Sequence, residues 1–555
     1  MHGETRVDYY YRTTGAEKLI PLADPQAPPA DAAQITTLSG ETVPYVVRIE
    51  TGTINRAIYQ IAMLEKGWNE KLIYTFGGGC PGGWFRQGAT TGGVDNDAML
   101  SQGYAVASAS LNVFGNNCND LLAAETMMMV KERFIESQGP PRFTIGWGCS
   151  GGSYQGHQIG DNYPGLLDGI VVGCSFPDVG HAAISAHSFG ARLMYHYFET
   201  ASVPWTIEEQ VLASGMPDAE SLRVHGTRPD RLRPRGVCDA LIPIRLLYDP
   251  VTNPKGARCT VFDHTVNVYG KDPSTGFARR FLDNVGVQYG LRGVNAGKIT
   301  TEQFLDLNEK IGGLDIDAEL VPSRTVGDRA AMRVAYETGR ILNGGAGLAE
   351  MPIIDYRGYS DLTKGDIHMQ FHSFFTRERL IKANGHADNH VMLVEDGKTY
   401  GGFSTKSPVL RGALSYMDQW LTALLRDSSS EPKARKVVRS KPVELQDACY
   451  DSMGSRIVER QTHSGTGACN KLYPSHGSPY LAAGMPLAND VVKCQLKPID
   501  EADYVVGFTP AEMERLRSIF PDGVCDYSKP GIEQRPLRGT WLSFGPSPVN
   551  RVAVP

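Results

Sequence analysis

Ser150 is the residue best suited to chemistry, because it stands in the segment Gly148–Gly152, which has the form G-x-S-x-G. The segment directly follows a predicted strand that ends at Trp147 and precedes a helix-like stretch that begins at Tyr154. Flanking glycines allow a sharp turn from strand to helix, and a serine at a helix N-terminus faces N–H groups that stabilise a developing anion. The motif occurs once, which favours a nucleophile over an incidental serine in a tight turn.

A glycine-rich loop, Gly77–Trp84, follows the predicted strand Leu72–Phe76. Glycines let a backbone approach a substrate carbonyl closely. No Gly-Lys-Ser/Thr sequence follows, which excludes a P-loop for phosphate. We therefore expect the backbone N–H groups of Gly79, Cys80 and Gly151 to form an oxyanion hole. A flexible loop without a chemical role is the alternative.

Asp361 is the predicted acid of a catalytic triad. It follows the predicted strand Met351–Ile354 in the pattern G-x-x-D. A carboxylate just past the C-terminal end of a strand can orient the histidine of a triad. Asp355, which can pair with Arg357 instead, and Asp178 are the alternatives.

The base is harder to assign, because no histidine follows the predicted strand His390–Val394, where the base is expected. His368 lies past the strand that leads to Asp361, and therefore at the same edge of the sheet as that carboxylate. We take His368 as the first choice. The alternatives are His390, His386, His372, His463 and His476.

Composition excludes several classes of function. The chain has 555 residues, a net charge of −6 and no basic footprint of the kind that binds nucleic acid. No apolar stretch approaches the roughly 20 residues that cross a bilayer. The expected partner is therefore a small-molecule or polymer ester, with neither nucleic acid nor membrane; the sequence does not determine the oligomeric state.

No cofactor or metal is expected. The ten cysteines include no Cys-x-x-Cys pair, which argues against a zinc ribbon. Asp315 and Asp317 are the one candidate for a calcium site, and two acidic residues are a weak signal for calcium.

Short apolar runs separated by helix-length segments predict a mostly parallel sheet covered by helices, and with the serine turn they predict an α/β-hydrolase fold. A helix-rich stretch interrupts the strands and is interpreted as a large inserted lid. The predicted parts are an N-terminal arm (residues 1–40), a core (41–178 and 350–427), the lid (179–349) and a disulfide-pinned C-terminal extension (441–555).

An even number of scattered cysteines fits disulfide bridges, which form in oxidising compartments. The cysteines therefore predict a secreted or periplasmic protein, with a signal peptide that is absent from this sequence. Cys149 and Cys174 end consecutive predicted strands, which in a parallel sheet are often neighbours. We therefore predict a bridge between Cys149 and Cys174. A bridge between Cys80 and Cys118 is a competing arrangement.

The chain resembles the tannase and feruloyl esterase group of α/β-hydrolases, and more closely an uncharacterised tannase-like family. The resemblance covers most of the chain and rests on the stretches Gly148–Gly156, Tyr163–Ile170, Cys494–Pro498 and Gly523–Tyr527. Enzymes of that group are similar in bridging the cysteine beside the nucleophile to a His-Cys pair. This sequence has no His-Cys dipeptide, so the resemblance assigns neither the base nor the partner of Cys149.

These observations together predict a serine hydrolase that cleaves carboxylic esters through an acyl-enzyme. Ser150 would attack, His368 would transfer the proton and Asp361 would orient His368. The large lid suggests a bulky, aromatic or polymeric substrate. The alternatives are hydrolysis of an amide, a lactone or a carbon–carbon bond, or a binding protein on a degenerate hydrolase fold.

Overall fold

The computed structural model describes residues 5–16, 18–83, 86–544 and 549–550. Its main feature is a sheet of twelve strands. These strands are β1 (Arg6–Tyr11), β2 (Ile20–Leu22), β3 (Val46–Ile54), β4 (Ala57–Leu64), β5 (Leu72–Phe76), β6 (Ala105–Ala109), β7 (Thr144–Cys149), β8 (Gly169–Gly173), β9 (Ile353–Tyr359), β10 (His390–Asp396), β11 (Ala448–Tyr450) and β12 (Arg456–Val458).

The strand order in this sheet is β12-β11-β10-β9-β8-β7-β5-β6-β4-β3-β1-β2. The run from β6 to β11 is parallel, whereas β12 and the strands from β4 to β2 pair antiparallel with their neighbours. Every residue of β5, β6 and β8 is buried, as expected for central strands covered on both faces. The chain therefore has the predicted α/β-hydrolase fold.

Helices cover both faces of the sheet and fill the connection between β8 and β9. The α-helices of the described residues are α1 (Asp97–Leu100), α2 (Asp120–Gln138), α3 (Gly151–Asn162), α4 (Arg192–Thr200), α5 (Ile207–Ser214), α6 (Ala219–Gly226), α7 (Val261–His264), α8 (Val266–Tyr269), α9 (Leu291–Asn295), α10 (Thr301–Lys310), α11 (Arg329–Glu337), α12 (Phe371–Asn384), α13 (Gly397–Tyr400), α14 (Pro408–Arg426), α15 (Lys433–Arg439), α16 (Ala468–Leu472), α17 (Pro479–Ala482) and α18 (Pro510–Ile519).

The helical insertion, as we call the chain between β8 and β9, holds α4 to α11 and begins with a π-helix, Val179–Ala191. Asp178 caps the π-helix, since its carboxylate accepts hydrogen bonds from the N–H groups of His181 and Ala182. The same carboxylate forms a buried ion pair with Arg379 of α12. This pair ties the start of the insertion to the core and uses Asp178 structurally. The predicted boundaries of the separate parts stay a prediction.

Both ends of the chain add strands to the edges of the sheet. β1 and β2 come from the segment expected to be an extended arm, and β1 pairs with β3 over six residues. β11 and β12 extend the opposite edge, beyond β10. Short hairpins lie outside the sheet: Gln34–Thr36 with Thr42–Pro44, Gly313–Leu314 with Leu320–Val321, Gln495–Lys497 with Val524–Asp526, and Ser543–Phe544 with Val549–Asn550.

Four disulfide bridges join cysteines of the described residues: Cys80–Cys118, Cys238–Cys259, Cys449–Cys469 and Cys494–Cys525. The last two bridges pin the C-terminal extension, as predicted from the sequence. The predicted bridge between Cys149 and Cys174 is not formed, and both are free thiols. The register explains this, because Cys149 lies opposite Gly173 in the parallel pair and Cys174 is one residue further on.

Candidate active site

Ser150 occupies a sharp turn between β7 and α3. Its backbone has φ 61° and ψ −120°, a conformation that residues with a side chain rarely adopt. The turn is possible because its neighbours lack side chains: a Cβ on Gly151 would lie 2.2 Å from the carbonyl oxygen of Gly79, and a Cβ on Gly148 would lie 2.8 Å from the backbone of Gly152. The G-x-S-x-G sequence thus allows the strained turn that presents Ser150.

His368 lies beside Ser150, with its Nε2 atom 2.9 Å from the Ser150 Oγ atom. The ring is partly buried and packs edge-on against Phe176, at 5.5 Å between ring centres. A histidine at hydrogen-bond distance from a serine hydroxyl can accept its proton. The structure therefore brings together the predicted nucleophile and the predicted base.

Asp366 is the carboxylate that holds His368. Its Oδ1 atom accepts a hydrogen bond from the His368 ring at Nδ1, 2.6 Å away, and another from the His368 backbone N–H, 2.8 Å away. Burial raises the pKa of Asp366, but the hydrogen bond and charge of His368 outweigh it, and this pKa is lowered from its usual value. An ionised Asp366 fixes the ring with Nδ1 protonated and leaves Nε2 free to accept a proton from Ser150.

Asp361, the predicted acid, is not the carboxylate bonded to the His368 ring. It is fully buried, and its Oδ1 atom accepts a hydrogen bond from the backbone N–H of Gln370 at 2.7 Å. Burial raises its pKa to about 7, against the opposing charge of Arg357. A carboxyl group that is half protonated near neutral pH is poorly suited to stabilise an imidazolium, so the prediction of Asp361 as the orienting acid is corrected to Asp366.

Arg357 anchors the loop that carries His368. It is fully buried, and its guanidinium donates to the carbonyl oxygens of His368 (2.6 Å) and Ser175 (3.1 Å) and to the hydroxyl of Ser373 (2.7 Å). Five donors in a rigid plane suit a guanidinium to holding several backbone segments at once. The predicted pairing of Asp355 with Arg357 is not a direct ion pair, because Asp355 faces His390 instead.

The glycine-rich loop lies beside Ser150. A Cβ on Gly78 would lie 3.5 Å from the Cβ of Ser150, and the backbone of Gly79 contacts Gly151. The carbonyl oxygen of Gly78 accepts a hydrogen bond from Gly115 at 2.7 Å. Cys80 is bridged to Cys118. Trp84, the last residue of the predicted loop, lies outside the described residues.

The helical insertion holds the other side of this loop. The N–H of Gly83 donates to the carbonyl oxygen of Cys259 at 3.0 Å. The His264 ring contacts the carbonyl oxygen of Gly83 through Nδ1 and the side chain of Asn117 through Nε2. Burial lowers the pKa of His264, so the ring is neutral near pH 7 and donates through Nδ1 only. The loop is therefore fixed from two directions.

The other candidate histidines lie away from Ser150. His390 begins β10, with its Nε2 atom 3.6 Å from Asp355. His386 is exposed beside Asp388. His372 is buried, with its Nε2 atom 3.3 Å from Nε2 of His187. The two C-terminal candidates contact each other, because the ring of His463 bonds to the carbonyl oxygen of His476.

Cys149 and Cys174 form a hydrogen-bonded pair of thiols next to the serine turn. The hydrogen bond with Cys174, together with burial, raises the pKa of Cys149 well above its usual value. The thiolate is the nucleophilic form of cysteine, and a raised pKa keeps Cys149 in the less reactive thiol form.

The described residues contain no group of three or more His, Cys, Asp or Glu side chains that could hold a metal ion. At the candidate calcium position, Asp317 forms an ion pair with Arg258 and a hydrogen bond with Tyr248. Asp315 accepts hydrogen bonds from the N–H groups of Asp317 and Glu319. In the same part of the chain, no helix has the length and apolar character needed to cross a membrane.

Asp366 is the site residue that reasoning from the sequence missed, although a local signal exists. In an Asx-turn, an aspartate accepts a hydrogen bond from the backbone N–H two residues later. Asp366 makes this bond to His368, which brings the carboxylate within reach of the His368 ring. An Asp-x-His sequence past the end of a strand therefore predicts an acid and a base on one loop.

The family model of a tannase-like family of unknown function (DUF6351) matches residues 2–536. No curated protein matches the chain by sequence.

Similar solved structures include an esterase from Aspergillus oryzae, 12% identical over 75% of this chain and 86% of that chain, with a TM-score of 0.31. Tannin acyl hydrolase from Aspergillus niger is 10% identical over 76% of each chain, with a TM-score of 0.25. Candida antarctica lipase A in its closed state is 12% identical over 83% of this chain and 84% of that chain, with a TM-score of 0.30. These TM-scores are too low to support an argument about activity. The family match covers nearly the whole sequence, and the chain belongs to this tannase-like family.

Proposed function

We propose that the protein is a serine hydrolase that cleaves carboxylic esters through an acyl-enzyme. The observation that carries the proposal is the hydrogen-bonded series from Ser150 through His368 to Asp366, with distances of 2.9 Å and 2.6 Å. Nucleophile, base and orienting carboxylate at such distances are the arrangement by which a serine hydroxyl is activated.

The proposed reaction runs in two halves. Ser150 Oγ attacks the ester carbonyl carbon while His368 Nε2 takes the hydroxyl proton. The tetrahedral intermediate then expels the alcohol, which leaves with the proton from His368, and the acyl group stays on Ser150. Water attacks this acyl-enzyme by the same route, with His368 as base, and the carboxylic acid is released.

Backbone N–H groups would stabilise the negative oxygen of each intermediate. The N-terminus of α3 supplies the N–H of Gly151, and the glycine-rich loop supplies Gly79 and Cys80. Donors that are already fixed lose little freedom in the transition state, which makes this type of stabilisation large. The bridge between Cys80 and Cys118 and the contacts of His264 support such a fixed loop.

The rival of a binding protein on a degenerate hydrolase fold rested on the absence of a histidine after the last strand. His368 lies on the loop after β9 instead, and its ring is within hydrogen-bond distance of Ser150, which favours catalysis over a binding role. Amide, lactone or carbon–carbon hydrolysis on the same residues remains the alternative within enzymes. A panel that pairs each ester with its amide analogue distinguishes these activities by their relative kcat/KM.

We propose further that the enzyme works outside the cytoplasm and accepts bulky, aromatic or polymeric esters. The four disulfide bridges support an oxidising compartment. The insertion packs against the glycine-rich loop beside the site, because its Cys259 and His264 contact Gly83 of that loop. Rates for aryl esters of increasing size test the substrate preference.

The central test replaces the nucleophile. Ser150→Ala should lower kcat by roughly 10⁴- to 10⁶-fold, because the variant has no oxygen that can form the acyl-enzyme. A fluorophosphonate probe should label Ser150 in the wild type and leave the variant unlabelled, with mass spectrometry locating the adduct. Circular dichroism and the melting temperature should stay unchanged. Wild-type turnover by the variant, or no labelling of the native protein, would rule the proposal out.

A further inference from the structure

One loop of the helical insertion exposes four large aliphatic side chains to solvent. The bridge between Cys238 and Cys259 closes this loop, and we call residues 239–258 the bridged loop. The exposed side chains are Leu241 (90% exposed), Ile244 (75%), Leu246 (51%) and Val251 (85%). Large apolar side chains exposed together at one place on a protein mark a surface that contacts an apolar partner.

Hydrogen bonds hold the bridged loop in a defined conformation. The side-chain amide of Asn253 donates to the carbonyl oxygens of Arg245 (3.0 Å) and Leu247 (2.9 Å). These bonds hold the turn around Val251 against the helical turn Ile244–Leu246. The exposure of the aliphatic side chains is therefore a property of the folded loop.

The base of the bridged loop lies against the glycine-rich loop of the proposed active site. A Cβ on Gly83 would lie 2.7 Å from the carbonyl oxygen of Val237, and the N–H of Gly83 donates to the carbonyl oxygen of Cys259 at 3.0 Å. Asp239, the first residue of the bridged loop, forms an ion pair with Arg86 at 3.3 Å. A partner bound by the bridged loop would therefore lie close to the proposed active site.

The segment that contains the bridged loop is basic, although the chain is acidic overall. Residues 226–257 contain six basic and three acidic side chains, a net charge of +3, whereas the whole chain has a net charge of −6. The exposed members are four cations and one carboxylate: Arg228, Arg235, Arg245, Lys255 and Asp230. An apolar surface with cations nearby matches an apolar partner whose surface is negatively charged.

A second copy of this chain matches the bridged loop less well than a lipid-like surface does. In a two-fold symmetric dimer the same patch faces itself, so cations would meet cations. An aggregate of long-chain esters is apolar, and hydrolysis leaves carboxylates at its surface. Such an aggregate supplies both the apolar phase and the negative charge that this surface requires.

We propose that the bridged loop binds the surface of aggregated esters of long-chain carboxylic acids, with Leu241 and Ile244 entering the apolar phase beside the proposed active site. This inference rests on the proposed ester hydrolysis and adds the substrate class. The contact is interfacial, and interfacial binding requires no helix that crosses a bilayer.

Binding is measured by sedimentation with vesicles of ether-linked phosphatidylcholine, which an esterase cannot hydrolyse. Vesicles with about one-fifth oleate have a negative surface, and vesicles without oleate are neutral. The wild type should bind the oleate vesicles. The double variant Leu241→Ser with Ile244→Ser should bind them about 10- to 100-fold more weakly, because two aliphatic side chains no longer leave water on binding.

The charge contribution is tested separately. Arg245→Gln with Lys255→Gln should weaken binding to the oleate vesicles by about 10-fold or more and change binding to the neutral vesicles by less than about threefold.

Val443→Ser with Val505→Ser is the matched control, because these side chains are 76% and 81% exposed but lie on the C-terminal extension. The control should bind the oleate vesicles as the wild type does. Circular dichroism and the melting temperature should be the same for all variants, since every replaced side chain is exposed.

Turnover separates surface binding from the chemical step. Dispersed 4-nitrophenyl palmitate is the aggregated substrate, and dissolved 4-nitrophenyl butyrate is the monomeric one. Leu241→Ser with Ile244→Ser should lower kcat/KM for the palmitate by about 10- to 100-fold and for the butyrate by less than about threefold. The control variant should turn over both esters as the wild type does.

No binding of the wild type to oleate vesicles, equal binding by the double serine variant, or equal losses on both esters would overturn the inference. So would a dimer in analytical ultracentrifugation that the double serine variant converts to a monomer, because the surface would then belong to a second copy. These outcomes leave fluorophosphonate labelling of Ser150 unchanged. Failure of the probe to label Ser150 would instead remove the proposed hydrolase, while vesicle binding would stay as measured.

Discussion

Asp366 and Asp361 lie five residues apart on the same loop and have opposite electrostatic environments. Asp366 is ionised and bonded to His368, whereas burial raises the pKa of Asp361 to about 7. A triad acid must stay negative while the histidine becomes positive. Only Asp366 meets this condition at neutral pH, although both residues follow the same strand.

Replacing each carboxylate by its amide separates the two roles. Asp366→Asn should lower kcat by roughly 10⁴-fold, because the amide no longer holds His368 in the tautomer that accepts a proton. Asp361→Asn should lower kcat by less than about 10-fold, since an amide oxygen still accepts the hydrogen bond from Gln370. Initial rates on one activated ester at pH 7.5 check both values. The reverse order would restore Asp361 as the acid.

Asp361 should also make stability depend on pH. Its folded-state pKa of about 7 lies above the ordinary value of 3.8, so the folded state binds more protons between these values. The contribution to stability is complete below about pH 4 and is lost as the pH rises through 7, by about 4 kcal/mol at most.

Asp361→Asn should therefore lose less stability than the wild type between pH 5 and pH 8, measured from urea unfolding midpoints. Asp366→Asn is the matched control, because the pKa of Asp366 is lowered and its contribution does not decline over this range. Equal pH dependence of wild type and Asp361→Asn would contradict a raised pKa of the buried Asp361.

The residues of the site differ in how well the sequence predicts them. Ser150 is identified by glycines that its own turn requires, so the signal is local. The position of His368 is predicted by the strand that precedes it, because residues past the C-terminal end of that strand lie at the same edge of the sheet as Ser150. Asp361 and Asp366 cannot be separated by pattern, because the full burial of Asp361 and the partial exposure of Asp366 depend on contacts with parts of the chain that are distant in sequence, such as the segment around His476.

At the scale of elements, the central strands are predictable because they are short, continuous apolar runs. β5, β8 and β10 lie where the sequence predicts strands. The edge strands β1 and β11 are not predicted, because partly exposed edge positions lack a strong apolar pattern and pairing depends on strands elsewhere in the chain. The connections that form the site depend on contacts between distant loops, which no local pattern encodes.

The glycine-rich loop is the element whose rigidity matters most for the proposed chemistry. Replacing both Cys80 and Cys118 with alanine should lower kcat by about 10- to 100-fold with a smaller change in KM, because loosened N–H donors stabilise the oxyanion less well. Replacing Cys449 and Cys469 is the control: it should lower stability, by about 2–4 kcal/mol, and leave kcat near wild type. Equal kcat values in the two double variants would mean that the bridge at Cys80 does not position the oxyanion hole.

At the scale of the whole molecule, the helical insertion and the C-terminal extension share one hydrophobic core. Phe304 and Tyr289 of the insertion pack with Tyr504 and Tyr480 of the extension. Polar contacts run between the same two parts: the Tyr336 hydroxyl, for example, accepts from the N–H of Val492 at 2.9 Å. The insertion thus depends on the extension for much of its buried surface.

The extension should therefore be required for folding of the insertion, even though it supplies none of the proposed catalytic residues. A chain that ends at Ser440 loses Val492, Tyr480 and the bridge between Cys494 and Cys525, and leaves a large apolar surface of the insertion exposed. Exposed apolar surface of this extent leads to aggregation.

The truncated chain should be recovered as aggregate or in a protease-sensitive form, without esterase activity or labelling of Ser150. A chain that ends at Leu542 is the matched control, because it retains Trp541, whose indole N–H donates to Pro164 at 2.8 Å. The control should keep the wild-type melting temperature and kcat. A soluble, active chain that ends at Ser440 would show that the insertion reaches its fold, and fixes the loop above Ser150, without the shared core.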